Sequence, residues 1–399
     1  MALYYESSSS SSSSNESEEE FMLNILIRLP KPRVFRDRSD PLTHFDDVEF
    51  SRRFRLSKIM FGELVHLIGE NIQHDTRRNH AIPSSIQILI TLRFLATGTF
   101  QVFNIRQGRK CRSYRRVYGL IKYPISLPLT YFEKYFQAVI GDLVNIHKSS
   151  VCRIIKRVCN EIAKLRRNFI QMPSTIEEIQ QTKVGFYKMH KFPQIIGVID
   201  CTHIRIQSPC RDIGEQYRNR KGYFSFNVQA VCNSNLEITD IVARWPGSVH
   251  DSTIFDNSSL RAKLENNEFG DCYILGDGGY PCRRYLMTPL LNPLTASEKK
   301  YQKSQIGTRN IIERVFGILK RRFPALALGI RTKLTTTMAI IVAAAVLHNM
   351  LRIHNDPMPQ DDNDEIDPEI FHELPVLPAR QVGNVYRTRL INTIFSSDD

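Results

Sequence analysis

The sequence predicts an α/β protein with a helical N-terminal part, and three observations carry that prediction. From about Phe45 to Ile170 apolar residues recur three and four apart, as in Ile59, Leu64, Leu67 and Ile68, the period of an amphipathic helix. From Phe192 the texture changes to short runs rich in β-branched residues, bounded by polar turns. Beyond those runs the helical period returns, so the order reads β-β-β-β-α.

Taken along the chain, residues 1–40 form a Ser/Glu-rich tail; its first twenty, "MALYYESSSSSSSSNESEEE", bury too little area to offset chain entropy and are expected to be disordered. The tail has no basic start followed by an apolar core, so no secretory signal is read there. Residues 41–170 form the helical region. Within it, "NIHKSSVCRIIKRVCNEIAKL" is a helix capped by Ser149 or Ser150, with Val151, Ile154, Ile155, Val158 and Ile162 buried and Lys148, Arg153, Lys156 and Arg157 outside. That pattern suits the second half of a helix-turn-helix and an ordinary bundle helix equally well.

Residues 171–355 form the second region. "FPQIIGVIDCTHIRI", "FSFNVQAVCN", "LEITDIVARW" and "CYILGD" read as four strands, the middle two joined by "NSN". "DSTIFDNSSLRAKLE" reads as a helix, and two more follow around "NIIERVFGILKRRF" and "MAIIVAAAVLHNML". The unbroken apolar run Met338 to Leu347 is about half of what a bilayer requires, so a buried core helix is expected and no membrane span. Residues 356–399 begin as an acidic linker, Asp356 to Glu369, and end in a docked helix with Tyr386, Leu390, Ile391, Ile394 and Phe395 on one face.

The 399 residues exceed what one hydrophobic core usually serves, and 42% hydrophobic with 24% charged residues is a globular composition. The eight cysteines form no CxxC pair and no Cys/His cluster, which argues against zinc and a disulfide framework and for a reducing compartment. A net charge of +13 points to an acidic partner, with nucleic acid the first expectation.

The chemistry is expected from carboxylates in awkward places. Asp200 ends the apolar run Ile195–Ile199, and Asp277 ends Tyr273–Leu275 ahead of two glycines that let the chain turn. Glu313 borders a helical stripe of Ile312, Val315, Phe316, Leu319 and Phe323 that should face the sheet. Carboxylates gathered at one sheet rim repel one another, and hard divalent cations, Mg2+ or Mn2+, relieve that repulsion. Asp251, after a Pro-Gly turn, is either a fourth metal ligand or a helix cap. His203 reads as structural and His250 as a neighbour that orients a ligand. Arg309 and Lys320 can hold a phosphate or be merely solvated, and Lys320, Arg321 and Arg322 make a basic end suited to a DNA backbone.

With "GVIDCTHI", "GSVHDSTIF", "LGDGGYP", "TRNIIERVFGILKRRFP" and "LHNML" in order between residues 197 and 351, the chain resembles the Harbinger transposases and the host nucleases derived from them. The 35 residues between Asp277 and Glu313 match that DDE class. The resemblance implies a ribonuclease H-like DDE catalytic domain over 171–355, with Asp200, Asp277 and Glu313 catalytic and Asp251 also binding metal, behind a helix-turn-helix-like DNA-binding region over 41–170. It further implies metal-dependent cleavage of DNA phosphodiester bonds by a two-metal mechanism, a Myb-like DNA-binding partner protein, and action in the nucleus with the cytoplasm as a second location. The alternative is a domesticated DNA-binding protein that does not use catalysis. Cys201 stands where the family commonly has Gly, and Gln305 where a His is frequent.

The resemblance also exposes an insert. "LRFLATGTFQ" and "VIGDLVNIHKSSVCRIIKRV" run together in relatives, whereas Val102–Gln137 separates them here, with Phe100-Gln101 echoed by Phe136-Gln137. Its ends and the tract "SLPLTYF" fit a retained in-frame intron. The insert holds eight of the basic residues against Glu133, so it supplies +7 of the +13.

Overall fold

Five strands make one mixed sheet in the order β3-β2-β1-β4-β5 in a computed structural model that describes residues 41–73, 81–98, 146, 148–209, 212–358 and 384–396. The 1–40 tail, the Val102–Gln137 insert and most of the acidic linker lie outside the described residues. β1 (Ile195–Arg205) is central: it pairs antiparallel with β2 (Ser225–Cys232), which pairs antiparallel with β3 (Ile238–Pro246). On its other side β1 runs parallel to β4 (Tyr273–Leu275), and β4 parallel to β5 (Leu286–Met287). β5 has two residues, too few to carry a periodicity, and no strand was expected there from the sequence.

The lengths of β1 and β4 decide where the site forms. β1 has eleven residues and β4 three, and their pairing stops at Val198 opposite Leu275. Asp200 is therefore not at a strand tip, as its apolar run suggested; it sits mid-strand opposite Ala230 of β2. What ends beside it is the parallel ladder: beyond Val198, β1 has no strand partner on that side until Ile206 bridges to Ile330, and this break in the pairing is the crevice. In α/β sheets the carboxyl ends of strands at such a change of direction are where ligands bind.

Helices cover both faces. Val198, Ile204, Phe226, Val228 and Ala230 share a buried cluster with α5 (Ile176–His190), α8 (Ala296–Arg322) and α9 (Leu334–Ile353). Ile199 and Val231 share a smaller one with α6 (Asp251–Asp256) and α7 (Ser259–Glu265). The sequence read α6 and α7 as one helix; Ser258 breaks it by accepting from the Arg261 amide as a new N-cap.

The helical region is built into the larger core. α1 (Asp47–Phe54), α2 (Lys58–Ile72), α3 (Ser84–Thr97) and α4 (Lys148–Lys164) contribute Phe50, Leu64, Leu92, Ile155 and Val158 to the cluster that holds Val346 and Leu347 of α9. α4 rests on α9, and α9 in turn on β3. Ser149 and Ser150 lie inside the first turn of α4 instead of capping it, and Ser149 accepts from Arg153.

α9 is long and apolar enough to cross a membrane by composition, yet most of it is buried inside this fold. Its Asn349 is spent on the open edge of β3: Oδ1 accepts from Ile238 N (2.8 Å), while Nδ2 donates to the carbonyls of Ile238 (2.6 Å) and Phe169 (2.7 Å). The amide thus replaces one residue of a neighbouring strand. Substituting Asn349→Leu strands those buried backbone groups and is expected to cost about 3 kcal/mol of stability, read as a lower urea midpoint.

At the C-terminus, α10 (Asn384–Leu390) continues into a π-helical turn, Ile391–Phe395. Leu390, Ile391 and Phe395 dock, with Phe395 against Phe192 and Tyr301, but Tyr386 and Ile394 are exposed. The wider π turn rotates the expected stripe out of register. Asp356 likewise departs from its reading as the start of a linker: it is buried against Arg322, at 3.2 Å.

Candidate active site

Strand alternation puts Asp200 and Thr202 on the α8 face of β1, and α8 answers with three residues spaced four and seven apart. Arg309 Nη2 lies 3.0 Å from Glu313 Oε1 and its Nη1 3.7 Å from Asp200 Oδ2. Lys320 Nζ donates to Thr202 Oγ1 at 2.6 Å. Neither cation is the solvated helix charge that the sequence allowed. Nor do Lys320, Arg321 and Arg322 form a basic end, because Arg322 is buried in its ion pair and only Arg321 is exposed.

Asp277 enters from the end of β4. Gly276 leaves little room there, since a Cβ would come 3.0 Å from the Tyr280 ring and 3.3 Å from Ile199. The turn is held at both ends: Gln305 Nε2 donates to Gly276 O (2.9 Å), and the Gly279 amide donates to Asp277 Oδ1 (2.9 Å). Tyr280 is buried, its hydroxyl 3.3 Å from Cys201 Sγ.

Asp251 belongs to the other face. It is the first residue of α6, with His250 at the cap position, so its carboxylate does not cap the helix. Oδ1 instead accepts from Asn227 Nδ2 (2.7 Å), whose amide also reaches Val249 O (2.9 Å). His203 shares this face: its Nδ1 meets Ser225 Oγ at 3.1 Å, and burial holds its pKa below the usual value.

The electrostatics tie the two faces together around Asp277. Burial, reinforced by Asp277, pushes the Asp200 carboxyl up to about 8, against the Cys201 amide and Arg309. Burial and then Asp251 raise Asp277, with Glu313 adding to the effect. Four carboxylates therefore act on one crevice, and Arg309 is the cation that two of them share. Among the described residues, no three His, Cys, Asp or Glu side chains converge closely enough to hold one ion as they stand. The donors nonetheless suit a divalent metal in kind, being hard oxygens in excess of the positive charge near them, with a guanidinium as the stand-in cation.

Asp200 and Glu313 thus meet at Arg309, while Asp277 lies within electrostatic reach of Asp200, Glu313 and, from the other face, Asp251. Sequence reasoning missed Asn227 and Gln305 in these roles. Nothing local marks Asn227; its position follows from the β1–β2 register, which sets it opposite His203.

A family model described as DDE superfamily endonuclease matches residues 199–349, which contain all four carboxylates. The human "Putative nuclease HARBI1" is 30% identical over 296 residues, covering 73% of this chain and 74% of that protein. The Xenopus laevis protein of the same name is 25% identical over 77% of this chain and 79% of its own length. "Protein ALP1-like" of Arabidopsis thaliana is 26% identical over 47% and 49%. No solved structure matches. With a DDE endonuclease match over residues 199–349 and 30% identity to the human protein along 73% of its length, the chain belongs to the Harbinger transposase-derived nuclease family.

Proposed function

We propose that this chain is a metal-dependent nuclease that cleaves DNA phosphodiester bonds, with Asp200, Asp277 and Glu313 as catalytic carboxylates and Asp251 as a further metal ligand. The observation that carries the reading is the excess of carboxylate charge at the crevice, where burial raises both Asp200 and Asp277 and Arg309 alone is shared. The sheet order, with three antiparallel strands flanked by two parallel ones, supports a ribonuclease H-like domain.

Two Mg2+ or Mn2+ ions would supply charge neutralisation and Lewis acidity at the scissile phosphate. The chain's own residues do the positioning. β1 fixes Asp200 on a buried strand, and the Gln305 and Gly279 bonds fix the turn that carries Asp277. Asn227 aims Asp251. Glu313, with 39% of its side chain exposed, is more open than Asp200 with 16%. Arg309 is free to exchange its carboxylates for a phosphate, and Lys320, tethered only to Thr202 among the described residues, offers a second cation on the same helix face. The exposed Arg153 and Lys156 of α4 give the DNA backbone a further foothold, consistent with the helix-turn-helix-like reading. The family resemblance supports a Myb-like partner and action in the nucleus with the cytoplasm second.

A supercoiled-plasmid assay tests the assignment. The wild-type chain should nick with Mg2+ or Mn2+ and not in EDTA, and Asp200→Ala, Asp277→Ala and Glu313→Gln should each fall by about a thousandfold or more. Nicking retained in Asp200→Ala sinks the mechanism, and DNA binding without wild-type nicking favours a non-catalytic DNA-binding protein.

A further inference from the structure

Between β1 and β2 the chain makes a tight turn, Arg218–Tyr223, which carries three cations. Arg218 is consumed by the turn itself. It pairs with Glu215 (2.8 and 2.9 Å), donates to Gly222 O (2.9 Å) and lies over the Phe224 ring. Asn219, 4% exposed, shapes the rest: its Oδ1 accepts from the amides of Lys221 and Tyr223, and its Nδ2 donates to Ser225 Oγ. Gly222 closes the turn at φ +82°, a conformation that favours glycine.

The other two cations are exposed and have no carboxylate partner among the described residues. Arg220 Nη2 donates to His250 Nδ1 (2.7 Å), next to Asp251. Lys221 lies within electrostatic reach of Lys320 and His203. A braced turn thus holds two unneutralised positive charges, one within electrostatic reach of Lys320 and the other bonded to His250, the residue before Asp251. A single anion bridging them relieves the repulsion among the cations, and a turn this braced loses little entropy in binding it.

We propose that the Arg218–Tyr223 turn is a DNA backbone site, in which Arg220 and Lys221 hold phosphates flanking the bond presented to the carboxylates. The inference rests on the nuclease reading for its substrate class but not on turnover. Phosphate contacts of this kind fix the register of the strand without reading its sequence.

Fluorescence anisotropy of a labelled DNA duplex, titrated with the full chain in EDTA over a series of salt concentrations, tests it apart from cleavage. For R220A/K221A the affinity should drop about tenfold near 0.1 M salt, and the slope of log affinity against log salt should shrink by about 2. K299A/K300A, which removes two exposed lysines from the start of α8, should leave the slope unchanged. Circular dichroism should report wild-type folding for both, since Asn219, Arg218 and Gly222 are intact. An unchanged slope in R220A/K221A, or an equal loss in K299A/K300A, overturns the turn's role and leaves the nuclease reading standing. Absence of DNA binding by the wild-type chain overturns both, whereas binding that depends on the turn without plasmid nicking sinks only the catalytic reading.

Discussion

Substituting Asp200→Asn should make the metal-free protein more stable at pH 8 while abolishing metal-dependent cleavage. The carboxyl has an ordinary pKa of 3.8 and one of about 8 in the folded chain, where burial and Asp277 oppose its ionisation. Between those values the folded state keeps a proton that the unfolded state has released. Stability therefore falls as pH rises from about 4 to about 8 and is flat above. With 16% of the side chain exposed, the loss at pH 8 is on the order of a few kcal/mol. Asparagine has the same shape and no such penalty, so in EDTA the variant should unfold at a higher temperature at pH 8, with the gap closing toward pH 4. Adding Mn2+ should then stabilise the wild type and not the variant, since a ligand that binds only the folded state raises its stability. Equal Mn2+ stabilisation of both proteins would remove Asp200 from the metal site.

The second large effect belongs to the pair Arg322 and Asp356, with 4% and 3% of their side chains exposed. Arg322 Nη1 also donates to Arg55 O (3.1 Å) and Nη2 to Asp356 O (3.0 Å), while Asp356 Oδ1 accepts from the Ser57 amide (3.3 Å). The end of α8, the chain after α9 and the loop between α1 and α2 meet at this one ion pair. Arg322→Ala leaves a buried carboxylate uncompensated and should cost about 3–5 kcal/mol. R322M/D356L should cost less than the sum of the single changes, because no charge is then left alone in the core. Denaturant unfolding of the four proteins measures the coupling; strictly additive losses would mean that the two side chains act independently.

The degree to which the site was legible varied residue by residue. Glu313 and its stripe could be read because a helix repeats its faces every few residues, and Ile312, Val315, Phe316, Leu319 and Phe323 are all buried. Arg309 and Lys320 were visible on that face, but whether they met solvent or carboxylates depended on what β1 placed opposite them. Asp251 could be read as a cap or a ligand until Asn227, 24 residues away, showed which atom its carboxylate meets. Asp356 looked like linker because its partner lies 34 residues earlier, at the end of another helix.

The sequence alone determined the order of the four longer strands and of the long helices after them, the burial of the apolar helix α9 and the family, because period, turn chemistry and short motifs are local properties of a chain. Tertiary structure decided what no local pattern holds: that β1 outruns β4 beside Asp200, that a guanidinium is shared between two carboxylates, and that a buried ion pair ties the end of α8 to the chain after α9. Each of these depends on groups far apart in the chain, and the cost of burying a charge is set only when the fold brings its neighbours near.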